Sequence, residues 1–81
     1  KQARVVPAVK DGETRGFKFY GIRPGSLPKL LGINNGDLLT SVNGQELTSL
    51  DQAMDLYTKL RRASNLSITI ERKDQTITKE F

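Results

Sequence analysis

Apolar residues along this chain fall into short runs separated by Gly, Pro, Asn and Asp. Ala3 to Lys10 (ARVVPAVK) reads as a first strand. Pro7 has no N–H to give a ladder, so that strand belongs at a sheet edge or bends there. Asp11-Gly12 signals a turn, with Glu13-Thr14-Arg15 extending it. Phe17 to Ile22 is a second strand, with Phe17 and Phe19 on one face and Lys18 and Tyr20 on the other. Arg23-Pro24-Gly25-Ser26 turns sharply. Leu27, Leu30 and Leu31 then fit one face of a short helix that Gly32 can cap. Beyond the turn Asn34-Asn35-Gly36-Asp37, Leu38 to Val42 is a buried strand, and Asn43-Gly44 is a hairpin turn leading into Gln45-Glu46-Leu47.

The clearest periodicity follows. Leu50, Ala53, Met54, Tyr57 and Leu60 recur at helical spacing, and Leu56 widens the stripe. Ser49 and Gln52 make a capping box at its start. Asp51 suits the positive end of the helix, and Lys59, Arg61 and Arg62 suit the negative end. The spacing predicts a helix over about 50–62. Leu66 to Glu71 alternates with Leu66, Ile68 and Ile70 inward; Arg72-Lys73-Asp74-Gln75 turns; Thr76 to Phe81 closes a terminal hairpin around Ile77. This order of elements predicts an α+β domain, a small curled antiparallel sheet covered by one short and one long helix.

Composition narrows the chemistry. Eighty-one residues, 36% apolar and 27% charged, suit a single domain. A chain of that size buries roughly 60–65% of its extended surface on folding. With no His and no Cys, the usual nucleophilic triads, zinc sites and disulfides are excluded. Asp37, Glu46, Asp51, Asp55 and Glu71 look like turn, cap and surface residues rather than a catalytic pair. No phosphate-cradling glycine loop occurs. The domain therefore reads as non-enzymatic, with no cofactor and no metal. The net charge of +4 is scattered, and its densest cluster sits at a helix end, so nucleic acid is not the expected partner. No apolar run approaches the ~18 residues of a membrane span.

Two blocks carry a family resemblance. GFKFYGIRPGSLP (residues 16–28) and LGINNGDLLTSVNG (residues 31–44), followed by a capped amphipathic helix and a final hairpin, resemble a PDZ domain across nearly the whole chain. Gly36-Asp37 followed by Val42-Asn43-Gly44 at this distance is the specific part. Together with ARVVPAVKDG and SVNGQEL, the pattern is similar to the C-terminal domain of the type II secretion protein C family.

That resemblance implies a PDZ-like curled sheet or partly open barrel, with residues 1–81 forming one PDZ domain of a larger protein. It implies a periplasmic domain of a bitopic bacterial inner-membrane protein. The expected function is noncatalytic binding of proteins or peptides, recruiting secreted exoproteins or contacting machine components such as the secretin. The alternative is a regulatory or substrate-presenting PDZ domain of a periplasmic HtrA-like or site-2 membrane protease. In either case an extended peptide adds to a sheet edge beside the long helix. The groove residues implied are Arg4, Val5, Val6, Ala8 and Val9 on the strand, with Leu50, Met54, Tyr57 and Arg61 on the helix. Leu50 stands where many PDZ domains carry His, which implies an apolar ligand side chain there. Ordinary PDZ domains place a Gly-rich carboxylate cradle before the ligand strand; Lys1-Gln2-Ala3-Arg4 contains no Gly. Gly36, Asp37, Asn43 and Gly44 are expected to be architectural. Whether Pro7 withholds its N–H from the groove or from the neighbouring strand is open at this level.

Overall fold

The structure is a computed structural model describing residues 3–60 and 65–81, without the side chains of Leu50, Met54, Tyr57, Thr58 and Leu60. The elements in order are β1 (Arg4–Lys10), β2 (Glu13–Tyr20), α1 (Leu27–Leu30), β3 (Leu38–Val42), β4 (Gln45–Glu46), α2 (Leu50–Leu60), β5 (Ser67–Arg72) and β6 (Gln75–Glu80). All six strands join one antiparallel sheet in the order β1-β2-β3-β5-β6, with β4 paired to β3. β1 and β6 are its two edges, and the sheet stays open instead of closing into a barrel.

Three tight turns set the register. Asp11-Gly12, Asn43-Gly44 and Lys73-Asp74 each have positive φ at both central residues. Each joins directly paired strand ends: Lys10 with Glu13, Val42 with Gln45, and Arg72 with Gln75. This geometry matches the right-handed strand twist. It corrects two expectations. Glu13-Thr14-Arg15 belongs to β2, not to a longer turn, and β2 ends at Tyr20 rather than Ile22. Likewise Arg72 and Gln75 lie within their strands, so only Lys73 and Asp74 turn. Asn43 also bridges to the start of β5: its side-chain oxygen accepts the Ser67 N–H at 2.7 Å, and its own N–H donates to the Ser67 carbonyl at 2.7 Å.

The core is Phe17, Ile33, Val42, Leu47, Leu56, Ile68 and Ile70, with Phe19, Leu31, Leu39, Ala53 and Ile77 packed around it. Both strand alternations are as read from sequence. The α1 face is met only at Leu31: Leu27 and Leu30 are exposed, Leu30 at 70%, and Ile33 turns inward instead. Four residues make one helical turn, too short to present a stripe to the core. Ser26 caps α1 through Lys29 N–H, and Gly32, at φ +79°, ends it.

α2 begins with a modified capping box. Ser49 Oγ accepts the Gln52 N–H at 3.1 Å. Gln52 Oε1 returns not to Ser49 but to Thr48, accepting its N–H at 3.0 Å and its hydroxyl at 2.7 Å. Leu56 and Ala53 dock α2 on the core. The expected residues 61 and 62 of this helix lie outside the described residues.

Candidate functional site: an open strand edge beside α2

The direction of each main-chain group on β1 follows from its partner strand. Phe19 N–H donates to the Asp37 carbonyl at 3.1 Å, and the Phe19 carbonyl accepts the Gly36 N–H at 2.7 Å. Phe19 therefore turns its main chain away from β1. Its β1 partner, Val5, is a non-hydrogen-bonded pair mate, so Val5 turns its own N–H and C=O outward. Alternation assigns the same outward direction to Pro7, opposite Phe17, while Arg4, Val6 and Ala8 bond inward to β2. A bulge follows, in which Ala8 opposes Gly16 and Val9 opposes Thr14, leaving Arg15 as the extra residue. Gly16 fits this kink because a Cβ there would meet the Leu39 carbonyl oxygen. The tight turn requires Lys10 and Glu13 to be a bonded pair, so Val9 also faces outward.

The open edge thus displays the main chains of Val5, Pro7 and Val9. At Pro7 it offers a carbonyl and no N–H, which resolves the direction left open by sequence. The side chains of Val5 and Pro7 flank a cleft of about 330 Å³, shared with Thr14, Phe17, Thr48 and Ser49. Thr48 and Ser49 are the start of α2, so this cleft runs from β1 to the helix N-terminus. Val5 is 43% exposed and Val9 64%, an unusual display of apolar surface for an edge strand.

The sequence-derived groove residues are placed as follows. Arg4, Val5, Val6 and Val9 are exposed, and Ala8 is half-buried. Of these, Val5 lines the cleft at α2, whereas Ala8 and Val9 border an adjoining polar concavity that shares Thr14 and Thr48 with it and reaches Thr40, Ser41 and Thr69. Leu50, Met54 and Tyr57 lie in α2, with side chains outside the described residues, as is Arg61 altogether. Sequence reasoning did not name Pro7, Thr48 or Ser49 as groove residues. Thr48 had no separate signal, because only its bond to Gln52 brings it into the cap.

The strongest charge interaction sits elsewhere. Asp37 is buried and Arg72 grips it with two bonds, Nε to Oδ1 at 3.0 Å and Nη2 to Oδ2 at 2.7 Å. Oδ2 also accepts the Asn34 N–H at 2.7 Å, and Arg72 Nη2 reaches the Gly32 carbonyl at 3.1 Å. Burial works to raise the Asp37 pKa. The bonds from Arg72 and Asn34 and the charges of Arg72 and Lys79 outweigh it, holding the carboxyl below its ordinary 3.8. The bond to Asp37 in turn raises the Arg72 pKa. The expected architectural role of Asp37 is met in the Asn34 bond; the Arg72 clamp is an addition. Among the described residues no cluster of acidic groups could hold a metal ion, and no helix is long and apolar enough to cross a membrane.

An antiparallel sheet with one exposed edge beside a capped helix is the PDZ arrangement. The PDZ domain of EpsC from Vibrio cholerae superposes with a TM-score of 0.72 at 22% identity, covering 98% of this chain and 75% of that one. The HtrA3 PDZ domain bound to a phage-derived ligand (FGRWV) matches less well, at 0.67 and 18% identity over 99% of this chain and 84% of that one. The chain has the PDZ fold.

Among its sequence relatives is type II secretion system protein C. The protein from Aeromonas salmonicida is 32% identical over 74 residues, which is 88% of this chain and 24% of the relative. The chain is homologous to that segment and spans about a quarter of the relative's length. No family model matches the sequence.

Proposed function

We propose that this domain is the noncatalytic protein- and peptide-binding module of a type II secretion protein C, held in the periplasm by an inner-membrane parent. Its partners are secreted exoproteins or other machine components, such as the secretin. The observation that carries this reading is the β1 edge: its outward main-chain groups lie beside a cleft that Val5 and Pro7 flank and that ends at the α2 cap. An extended segment adding there gains main-chain hydrogen bonds from β1 and side-chain contacts from α2. Arg4, Val5, Val6, Ala8 and Val9 supply the strand side of the groove, and Leu50, Met54, Tyr57 and Arg61 the helix side. The sequence relationship to protein C favours this over a protease-regulating PDZ domain.

A heteronuclear NMR titration tests the proposal with two ligand sets, free C-terminal peptides and folded exoproteins of the source bacterium. Shifts along residues 5–9 and 50–57 with folded exoproteins alone support recruitment. Shifts with free C-terminal peptides alone favour the protease-type role. Shifts confined to Thr40, Ser41 and Thr69, with residues 5–9 and 50–57 unmoved, overturn the groove.

A further inference from the structure

We infer that Pro7 is a specificity-determining residue of the β1 edge: it lets the edge take one foreign extended strand while disfavouring a second copy of the same edge. This rests on the peptide-binding reading above. A strand lying antiparallel along β1 pairs opposite the outward residues Val5, Pro7 and Val9. At Val5 and Val9 each pair can exchange two bonds, an N–H given and an N–H received. Opposite Pro7 the incoming residue can donate its N–H to the Pro7 carbonyl, but its own carbonyl receives nothing. A foreign strand therefore loses one bond.

A second copy of the chain loses twice as much. Pairing of β1 with β1 of another copy is isologous, so every contact occurs two times. Centred on Pro7, it sets two carbonyls face to face with no N–H between them. Centred on Val5, it pairs each Pro7 with the other copy's Ala3, whose carbonyl then goes without a donor, once in each half. Either register carries two defects. Charge acts in the same direction. Between Ala3 and Lys10 the charged residues are Arg4 and Lys10, both exposed and in no ion pair among the described residues. Centred on Pro7, an antiparallel copy sets Arg4 of each chain opposite Lys10 of the other.

The ligand class follows. It is an extended segment of another protein, antiparallel to β1. It has no proline at the residues facing Val5, Pro7 and Val9, since all three must donate, and it carries acidic residues toward its ends to meet Arg4 and Lys10. The residue facing Pro7 keeps its carbonyl in water.

The test uses the 81-residue chain and its Pro7→Ala and Pro7→Val variants, which restore the N–H with and without a bulky side chain. The probe is a pool of random seven-residue peptides with both ends capped. One restored bond is expected to tighten peptide binding about fivefold, and two restored bonds to strengthen self-association by about 25-fold. Both variants should agree, because the N–H is what they share. Free-state hydrogen exchange should show rapid Val5 and Val9 amides against slow Val6 and Ala8. If Val5 is slow, or if both variants self-associate no more than the parent, the inference is overturned. If the pool binds no form of the domain, the capture of free extended segments fails, and the role of Pro7 stands or falls on self-association alone.

Discussion

The two edges of this sheet solve the same problem differently. β6 reads Gln-Thr-Ile-Thr-Lys-Glu, and its side chains are exposed apart from half-buried Ile77 and Lys79. Polar and charged side chains along an edge discourage another chain from docking on it. β1 reads Arg-Val-Val-Pro-Ala-Val-Lys, with apolar side chains on display and a proline at its centre. Its main chain is guarded at one position, while the rest remains available. The lesson is that an edge can be closed generally by side chains or restricted locally by deleting a single donor. Only the second leaves a template for a partner.

The comparison can be broken most forcefully through what the edges share. Ile70, fully buried in β5, belongs to the same core cluster as Phe17 of the β1–β2 hairpin. Ile70→Ala is expected to cost about 3–4 kcal/mol, measured by urea denaturation, and to expose both hairpins to hydrogen exchange together. Retained protection in one hairpin would show that the edges are independently stable.

Asp37→Ala comes next, at about 2–3 kcal/mol, because it strands the Asn34 N–H and the Arg72 guanidinium. The same site sets an acid dependence. The folded pKa of Asp37 is depressed, so its stabilisation is present above the ordinary value of 3.8 and is lost as pH falls through the folded pKa. Denaturation midpoints of Asp37→Asn should therefore fall less steeply at acid pH than those of the parent.

Proline scanning of β1 sharpens the contrast directly. Val6→Pro removes an inward bond to β2 and should destabilise by about 2–3 kcal/mol. Val5→Pro removes only an outward donor. It should cost under about 1 kcal/mol in thermal denaturation yet weaken peptide binding at the edge about fivefold in an NMR titration. Equal destabilisation by both would refute the alternation assigned to β1. The smallest effect belongs to the exposed Arg15–Glu13 pair near the β1–β2 turn, 3.5 Å apart. Arg15→Ala should change stability by no more than about 0.5 kcal/mol.

Much of this fold was legible because its signals are local. Asp11-Gly12 and Asn43-Gly44 announce their turns, and Phe17, Phe19, Ile68 and Ile70 announce the inward faces of their strands. The less legible features depend on distant partners. Lys73-Asp74 turns with positive φ and no glycine, held by the ladder on both sides. Arg72 reads as a turn residue until the pairing of Leu38 with Glu71 carries it beside Asp37. For the candidate site, sequence could place β1 at an edge. The direction of Pro7 needed the parity of Phe19, which is fixed by bonds to Gly36 and Asp37, far along the chain.

The Arg72 bond to Gly32 gives the end of α1 a dependence that its own four residues cannot remove. The carbonyl of Gly32, two residues past that single turn, is satisfied by a side chain arriving with the C-terminal hairpin, and Lys79 from the same hairpin lies against Gly32. A nascent chain still lacking β5 and β6 would therefore leave residues 27–33 open to a protease, and docking of the hairpin would close them. Cleavage within that stretch becomes a gauge of whether the domain has finished assembling.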